Sequence, residues 1–341
     1  MKMTLRSFEL PLRHEFRIAY GSSTMQSSVL VELEHDGHRG YGEATKSAYY
    51  GVTIDGMIEV IESARGVIEA ADPCRPELLW EELQAALPDA PFAQCAVDCA
   101  AYDLWGKLLG EPVWKLWGLD TATCPVSNYT IGIDTIEVML AKMDEFPGWP
   151  VYKIKLGTKE DIEIIRALRE HTDAKFRVDA NCGWTADETI RNAPILKELG
   201  VEFIEQPLPA DAWEDMKRVH DESVLPVIAD ESCRIESDVA ECDGYFHGVN
   251  VKLTKCGGLT PGRRMILDAR RRGLKVMVGC MVESSVGIAA IAQVLPMLDY
   301  VDMDGALLLN GDVAEGVTIE KGHVIYPDRP GSGIKLIEGV F

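Results

Sequence analysis

The chain has 341 residues, of which 47% are hydrophobic and 26% are charged, a composition typical of a globular protein large enough for more than one structural unit. This composition excludes a disordered chain, a collagen and a coiled coil. The formal net charge of −21 argues against nucleic acid as a partner, because a polyphosphate needs a basic surface.

The chain shows no sign of export or of membrane insertion. Residues 1–6 contain no apolar signal-peptide core, and the most apolar segment, 285–298, is interrupted by Gln293 and Pro296. We therefore predict a soluble cytoplasmic protein without a membrane partner. The nine cysteines include no pair separated by two residues, so reduced thiols are predicted rather than disulfides or a structural zinc site.

Residues 1–122 are predicted to form a small α+β domain. Residues 29–34 alternate between apolar and polar side chains, as in a half-buried strand, and Asp36-Gly37 is a hairpin turn signal. The following region has a helical pattern, which is clearest over residues 92–109 and ends at Gly110. The opening of the chain is therefore an antiparallel pair of strands followed by helices.

Residues 123–308 alternate between short apolar runs and amphipathic segments. The runs end in polar or glycine-rich tips, which follow one another at intervals of about 25 residues, the length of one strand and one crossover helix. There are eight of them: 126–133, 151–156, 176–180, 202–206, 226–230, 248–253, 275–279 and 300–304.

Eight parallel strands at this spacing predict a closed barrel. A doubly wound open sheet is the alternative, although no glycine-rich dinucleotide fingerprint follows any of the runs. Residues 309–341 are rich in glycine and proline and are expected to return to the first domain.

Three successive strands each deliver a carboxylate to their carboxyl-terminal end, namely Asp179, Glu205 and Asp230. In a barrel these ends surround the mouth of the active site. Each acid alone is compatible with a helix N-cap, but three acids that converge repel one another unless a cation lies between them. Because oxygen ligands suit Mg²⁺ better than zinc, we predict a magnesium site.

Lysines come from strands on both sides of these acids. Lys153 and Lys155 are two residues apart and so point to one face of their strand, whereas Lys252 arrives from the opposite side of the barrel. A metal and a second ammonium lower the pKa of a lysine, which can then remove a proton from a carbon next to a carboxylate. Two lysines across one carbon would invert a stereocentre. The alternative for each lysine, and for Lys255 just beyond, is a surface position.

This set of residues resembles the enolase superfamily, specifically its muconate-lactonizing-like subgroup and, within it, the dipeptide epimerases. The resemblance covers nearly the whole chain and implies a (β/α)7β barrel with an N-terminal capping domain that the C-terminal tail completes. It also implies a small dipeptide substrate, a homo-oligomer and an enediolate intermediate. By likeness, the residues divide into Mg²⁺ ligands (Asp179, Glu205, Asp230), acid/base catalysts (Lys155, Lys252) and a lysine that helps to hold the enolate (Lys153).

Two further acids bear on the substrate. Asp302 and Asp304 lie on one face of the last strand, where they are placed to pair with a substrate ammonium. Dipeptide epimerases resemble this chain in carrying such an Asp-x-Asp element at this place. The alternative is a pair of barrel-end acids without a ligand, or a cap for the next segment.

In the family that this chain resembles, side-chain specificity resides in a capping loop, here about residues 17–25. Members that act on Ala-Glu place an arginine in that loop, but Tyr20 or Gly21 stands at the matching position of this chain, with Arg17 nearby. This departure argues against Ala-Glu specificity, with substitution by Arg17 as the alternative. Glu283 faces either the substrate or a neighbouring loop.

Two other functions stay open. One is a sister activity on the same metal and lysines, such as muconate cycloisomerase, o-succinylbenzoate synthase or N-acylamino acid racemase. Asp302 and Asp304 argue against it, since an anionic substrate without nitrogen gains nothing from them. The other is a catalytically silent barrel that serves as a binding protein. Against it, every expected lysine and acid is present.

Overall fold

The structure is a computed structural model that describes residues 1–19 and 21–341. The N-terminal part is a three-stranded antiparallel sheet in the order β1-β2-β3, followed by helices. Their bounds are β1 Lys2–Ile18, β2 Gly21–His35, β3 His38–Thr45, α1 Ile54–Ser63, α2 Arg65–Ala70, α3 Pro76–Ala86, α4 Pro91–Leu109 and α5 Val113–Leu116.

The local signals read from the sequence explain where these elements begin and end. The β2–β3 hairpin turns at Asp36 and Gly37, with φ angles of 48° and 79°. Helix α4 begins at Pro91, which needs no N–H partner at the first helical position, and ends at Gly110 with φ of 72°. The predicted hairpin and long helix are confirmed.

Strands and helices then alternate. Their bounds are β4 Tyr129–Ile131, α6 Ile136–Asp144, β5 Val151–Lys155, α7 Asp161–His171, β6 Lys175–Asp179, α8 Ala186–Glu198, β7 Val201–Glu205, α9 Trp213–Glu222, β8 Val227–Ala229, α10 Asp238–Cys242, β9 Gly248–Val251, α11 Leu253–Cys256, α12 Leu259–Arg271, β10 Lys275–Gly279, α13 Ser285–Ala292 and β11 Tyr300–Asp302. Short strands follow: β12 Ala314–Glu315, β13 Thr318–Glu320, β14 His323–Ile325 and β15 Lys335–Leu336.

Strands β4 to β11 pair in sequential order, and all of these pairs are parallel. The first and last members meet through a parallel bridge between Ser127 and Val301, and Ser127 Oγ accepts a hydrogen bond of 3.1 Å from the Met303 N–H. The sheet is therefore closed. The predicted barrel is confirmed, and the doubly wound open sheet is wrong.

Side chains alternate along each barrel strand. On β5, β6 and β7 the fully buried Ile154, Val178 and Ile204 belong to the hydrophobic layer between strands and helices. The intervening residues face the barrel interior, and the register pairs Lys155 with Asp179 and Asp179 with Glu205. This register brings charged side chains of three strands to the same level.

Buried hydrogen bonds connect the N-terminal part, through α4, to the barrel. Asp98 accepts hydrogen bonds from the Thr260 N–H at 2.9 Å and from its hydroxyl at 2.8 Å, at the beginning of α12. Gly258 has φ of 120°, and a Cβ there would lie 2.4 Å from Asp98 Oδ2. Glycine is therefore required where the α11–α12 connection approaches α4.

The C-terminal tail returns to α4 through Asp103, a fully buried residue. Its carboxylate accepts hydrogen bonds from the N–H groups of Tyr41 at 2.9 Å and Ser332 at 2.7 Å, and forms an ion pair of 2.6 Å with Lys107. One side chain thus joins β3, α4 and the tail, which supports the prediction that the tail completes the N-terminal part.

Replacing Asp103 by alanine is expected to lower the free energy of unfolding by at least about 3 kcal/mol, because two buried N–H groups and an ammonium lose their acceptor. Urea denaturation monitored by circular dichroism measures this loss. As a control, alanine at Asp144, whose side chain is 65% exposed, should change stability by no more than about 0.5 kcal/mol. Equal changes in the free energy of unfolding for the two substitutions would contradict the role of Asp103 in joining β3, α4 and the tail.

Within the two described ranges, no helix combines the length and the apolar character that crossing a bilayer demands. All nine cysteines are free thiols, including the buried Cys95 and Cys99, whose sulfur atoms are 3.8 Å apart. The reduced state of the cysteines stays a prediction from the sequence.

Candidate active site

Three acids meet at the carboxyl-terminal ends of consecutive strands. Asp179 and Glu205 are the last residues of β6 and β7, and Asp230 directly follows β8. All three are buried, and each offers a carboxylate oxygen within 4.8 Å of those of the other two. The structure therefore brings together the three acids that the sequence singled out. Their role as ligands stays a prediction at this point.

Burial and neighbouring charges shift the pKa values of these acids in different directions. Burial, together with the charge of Asp179, raises the pKa of Glu205 to about 7. Burial would also raise the pKa of Asp230, but the charges of Lys252 and Lys255 outweigh it and hold that pKa well below its usual value. Three oxygen donors without sulfur or nitrogen in a site of concentrated negative charge fit Mg²⁺.

Two lysines approach the cluster from different walls of the barrel. Lys155 Nζ, at the end of β5, lies 2.7 Å from Asp179 Oδ2. Lys252 Nζ, just after β9, lies 2.7 Å from Asp230 Oδ2. Both side chains line the same cavity, and three strands separate their points of origin. The sequence prediction that the two amines face one space from opposite sides is consistent with this geometry.

Lys153 lies deeper than these two lysines. Its ammonium is 2.8 Å from Glu205 Oε2, 3.1 Å from Asp179 Oδ2 and 2.8 Å from Asp302 Oδ2. Burial would lower the pKa of Lys153, but the charges of Asp302, Glu205 and Asp179 outweigh it and hold the pKa well above its usual value. This lysine is therefore a fixed positive charge beside the acids.

The protein's own groups act on the pKa of Lys252 in opposite directions. Burial and the charge of Lys153 act to lower it, but the carboxylate of Asp230 raises the pKa of Lys252 well above its ordinary value. The protein's own charges thus work against the lowered pKa that a lysine base needs.

Lys255 is buried, and the surface position that remained open for it is wrong. Only 1% of this residue is exposed, and its Nζ donates to Asp230 Oδ1 at 2.5 Å. It also donates to the backbone carbonyl oxygens of Cys233 at 2.9 Å and Asn250 at 3.3 Å. Lys255 therefore holds Asp230 in position. The surface alternative is equally wrong for the three other buried lysines, Lys153, Lys155 and Lys252.

The cavity has a volume of about 600 Å³ and is bounded by the barrel on one side and by the N-terminal part on the other. Asp302 and Asp304 both line it. Asp302 accepts a hydrogen bond of 2.7 Å from Asn128 Nδ2, and Asp304 accepts one of 2.5 Å from the Thr130 N–H. Burial and the charge of Asp302 raise the pKa of Asp304, so this wall of the cavity favours a cationic group.

The predicted specificity residues are dispersed. Arg17 is exposed and is absent from the cavity lining, and its backbone carbonyl accepts a hydrogen bond of 2.9 Å from the Ile133 N–H. Glu283 is buried, also outside the lining, and accepts a hydrogen bond of 3.3 Å from the Met281 N–H. Tyr20 lies outside the described residues.

Other lining residues were given no role by the sequence analysis. Asn181 and Glu231 each follow an acid of the cluster by one or two positions and are buried in the cavity wall. Asn181 and Gln206 have positive φ angles of 42° and 32°. Such strain in residues other than glycine clusters at functional sites, but only the folded backbone reveals it. Proximity to Asp179 and Asp230 was the one signal available in the sequence.

Comparison with known families agrees with this architecture. Residues 139–340 match the family described as enolase C-terminal domain-like, and residues 2–118 match the mandelate racemase / muconate lactonizing enzyme N-terminal domain. These matches cover the barrel and the part that caps it. The chain therefore belongs to the enolase superfamily.

Individual relatives identify a smaller group within the superfamily. An L-Ala-D/L-amino acid epimerase of Flavobacterium johnsoniae is 54% identical over 99% of this chain and 100% of its own length. An L-Ala-D/L-Glu epimerase of Bacteroides thetaiotaomicron is 40% identical over 99% of this chain and 88% of its own. A crystal structure of a dipeptide epimerase from Enterococcus faecalis, complexed with Mg and L-Leu-L-Tyr, superposes with a TM-score of 0.92 at 31% identity, covering 97% and 98% of the two chains. Within the superfamily, the chain belongs to the dipeptide epimerases.

Proposed function

We propose that this protein is an Mg²⁺-dependent dipeptide epimerase that inverts the α-carbon of the C-terminal residue of its substrate. The observation that carries this proposal is the pair of amines, Lys155 and Lys252, on opposite walls of one cavity beside three converging carboxylates. An inversion needs a proton donor and a proton acceptor on opposite faces of one carbon, and this arrangement supplies both.

Asp179, Glu205 and Asp230 are the proposed ligands of Mg²⁺. Their all-oxygen donor set and their burial fit this ion. When bound, Mg²⁺ supplies positive charge that stabilises the negative charge developing on the substrate carboxylate and lowers the pKa of nearby lysines. Lys255 keeps Asp230 oriented, and Lys153 adds a fixed positive charge on the same side of the cavity.

The two lysines are proposed to move the proton. The neutral amine of one lysine accepts the hydrogen of the α-carbon as a proton and becomes an ammonium. The ammonium of the other lysine donates a proton to the opposite face and becomes a neutral amine. The net change is the configuration of one carbon, and the return to the starting protonation state goes through solvent.

Asp302 and Asp304 are proposed to bind the N-terminal ammonium of the dipeptide. Both line the cavity at the end of β11, and Asp302 is already paired with Lys153 at 2.8 Å. Asp304 forms no ion pair with a lysine among the described residues, and a substrate ammonium beside it would offset the burial and the charge of Asp302 that raise its pKa. A substrate without a cationic nitrogen would leave this carboxyl unpaired, which argues against the dicarboxylate and succinyl substrates of the sister activities.

The side chain of the C-terminal residue is proposed to be apolar. The cap contributes apolar and aromatic groups to the cavity beside uncharged polar ones, and Leu308 adds an apolar side chain from the barrel. The apolar and aromatic cap residues are Leu12, Phe16, Ile18, Met25, Ala48, Tyr49 and Tyr50, and the uncharged polar ones are Ser22, Ser23, Gln26, Thr45 and Ser47. Among the cap residues that the structure describes, only Lys46 contributes a cationic side chain to the cavity lining, and Lys46 is exposed. A glutamyl carboxylate would thus lose water without gaining a buried partner.

Deuterium incorporation tests both parts of this proposal. Purified protein with Mg²⁺ in D₂O should exchange the α-hydrogen of L-Ala-L-Leu and L-Ala-L-Phe, and NMR should show the second diastereomer. We expect kcat/KM for these substrates to exceed that for L-Ala-L-Glu by at least about tenfold. A higher value for L-Ala-L-Glu would refute the apolar preference alone. The absence of exchange with every dipeptide, together with turnover of an N-succinyl amino acid or a muconate, would favour the sister activities.

The cytoplasmic location and the homo-oligomeric state remain predictions from the sequence. The nine free thiols support a reducing compartment.

A further inference from the structure

Glu43, near the end of β3, is a buried carboxylate on the cap that reaches across to the barrel. It is 2% exposed and accepts hydrogen bonds from the N–H groups of Ser284 at 3.2 Å and Gly287 at 3.2 Å. The Ser284 hydroxyl also donates to it. These donors form the first turn of α13, where a carboxylate satisfies N–H groups that have no partner within the helix.

The two chain segments that Glu43 joins both line the active-site cavity. Two residues after Glu43, the segment 45–50 contributes six consecutive residues to the lining, including Tyr49 and Tyr50. Just before Ser284, residues 280–282 contribute three more. These two segments are more than 200 positions apart in sequence, and Glu43 is a direct polar link between them.

We infer that Glu43 is a positioning residue that fixes the segment 45–50 of the cap relative to the loop 280–282 of the barrel, and so sets the shape of the substrate cavity. In the described part of the chain, the hydrogen bonds that Glu43 accepts from the barrel come from Ser284 and Gly287, and it forms no ion pair with a lysine of the site. Its removal should therefore disturb the part of the cavity that binds the substrate away from the reacting carbon.

Asp312 provides a matched comparison at the same helix end. It accepts hydrogen bonds from the Ser285 N–H at 3.1 Å and from the Ser285 hydroxyl at 2.8 Å. It comes from the C-terminal tail, and neither it nor its neighbours line the cavity. Replacing it removes a carboxylate from the beginning of α13 but leaves both cavity segments joined.

The experiment compares Glu43→Gln with Asp312→Asn. Hydrogen–deuterium exchange, which needs no substrate, should be at least about threefold faster in segments 45–50 and 280–284 of Glu43→Gln and unchanged there in Asp312→Asn. The kinetic measurement rests on the proposed function. In Glu43→Gln, KM for the best dipeptide should rise about tenfold, while kcat should stay within about threefold of the unmodified protein. This pattern is expected when the ground state and the transition state lose the same binding free energy. Asp312→Asn should leave KM unchanged.

Equal changes in both variants, or faster exchange in 280–284 alone, would overturn the inference and leave Glu43 as an ordinary helix cap. If Glu43→Gln does not fold, Ser284→Ala carries the test, since it removes the hydroxyl contact to Glu43. Because it also removes the Oγ acceptor of the Val286 N–H, faster exchange in segment 45–50 is the readout that decides. Ser284→Ala should give the same pattern with smaller changes. Protein that shows the exchange pattern but has no dipeptide activity would refute the proposed function and not this inference.

Discussion

Alanine at Lys155 or at Lys252 is expected to lower kcat for epimerisation by about 10²- to 10⁴-fold, the range that a positioned acid or base supplies. The two amines lie on opposite walls of the cavity, 2.7 Å from Asp179 and Asp230 respectively. Neither can therefore replace the other on its own face of the substrate carbon. Conversion of L-Ala-L-Leu to its diastereomer, followed by NMR, measures this loss.

The two variants should differ in which diastereomer exchanges its α-hydrogen. A nonspecific loss of structure would not produce this difference. Each variant retains one lysine, which can still remove and return the proton on its own face. One variant should therefore exchange the α-hydrogen of the L,L diastereomer without inversion, and the other that of the L,D diastereomer. This complementary pattern follows from the geometry, whichever lysine serves which diastereomer.

Lys175→Ala is the matched control for these variants. Lys175 begins β6 at the other end of the barrel and pairs with Glu202 at 2.8 Å on the surface. Its loss should leave kcat and KM within twofold, and thermal melting should show that all three variants fold. Full turnover by Lys155→Ala would show that the base is another group and would end the two-lysine proposal.

Glutamine at Glu205 is expected to weaken Mg²⁺ binding by at least about 100-fold, since even the loss of an outer-shell partner costs 10- to 100-fold. The substitution removes one of three converging charges and turns an amide toward Asn250, which donates to Glu205 Oε1 at 2.8 Å. Isothermal titration calorimetry measures the affinity. Chelation of Mg²⁺ should likewise abolish epimerisation by the unmodified protein, and added Mg²⁺ should restore it.

Mg²⁺ should also stabilise the folded protein by about 2.7 kcal/mol at a hundredfold excess over its Kd. Glu205→Gln should lose this increment. In contrast, Glu202→Gln, on the same strand but at the other end of the barrel, should keep it even if its own ion pairs with Lys175 and Arg177 are weakened. A Mg²⁺-dependent rise in melting temperature that persists in Glu205→Gln would place the ion elsewhere.

The reacting groups of the barrel could be predicted from the sequence because the direction of each side chain follows from local periodicity along its strand. Lys153 and Lys155 share a face because side chains alternate along a strand, and this held in the structure. The acids converge because parallel strands end at the same edge. The boundaries of the strands shifted by only a few residues, so the tips remained where the chemistry needs them.

The substrate side of the cavity could not be predicted in the same way. It is assembled from the hairpin around Phe16 and Met25, the segment 45–50 and the loop 280–282, which are far apart in sequence. Arg17 is close to the cavity in sequence, yet its side chain is exposed and outside the lining. The sequence left the position of Lys255 open, because nothing in its neighbourhood shows that the carboxylate of Asp230 and two backbone carbonyls will surround it.

The sequence by itself therefore determined the eight-stranded architecture, the nature of the reacting groups and the end of the barrel at which they meet. These follow from covalent geometry, which fixes side-chain direction along a strand. Only the tertiary structure decided how the barrel closes at Ser127 and Val301, how Glu43 joins the cap to α13, and which side chains form the wall that meets the substrate. These depend on packing between segments more than 100 residues apart, and packing at such separation leaves no periodic trace in the sequence.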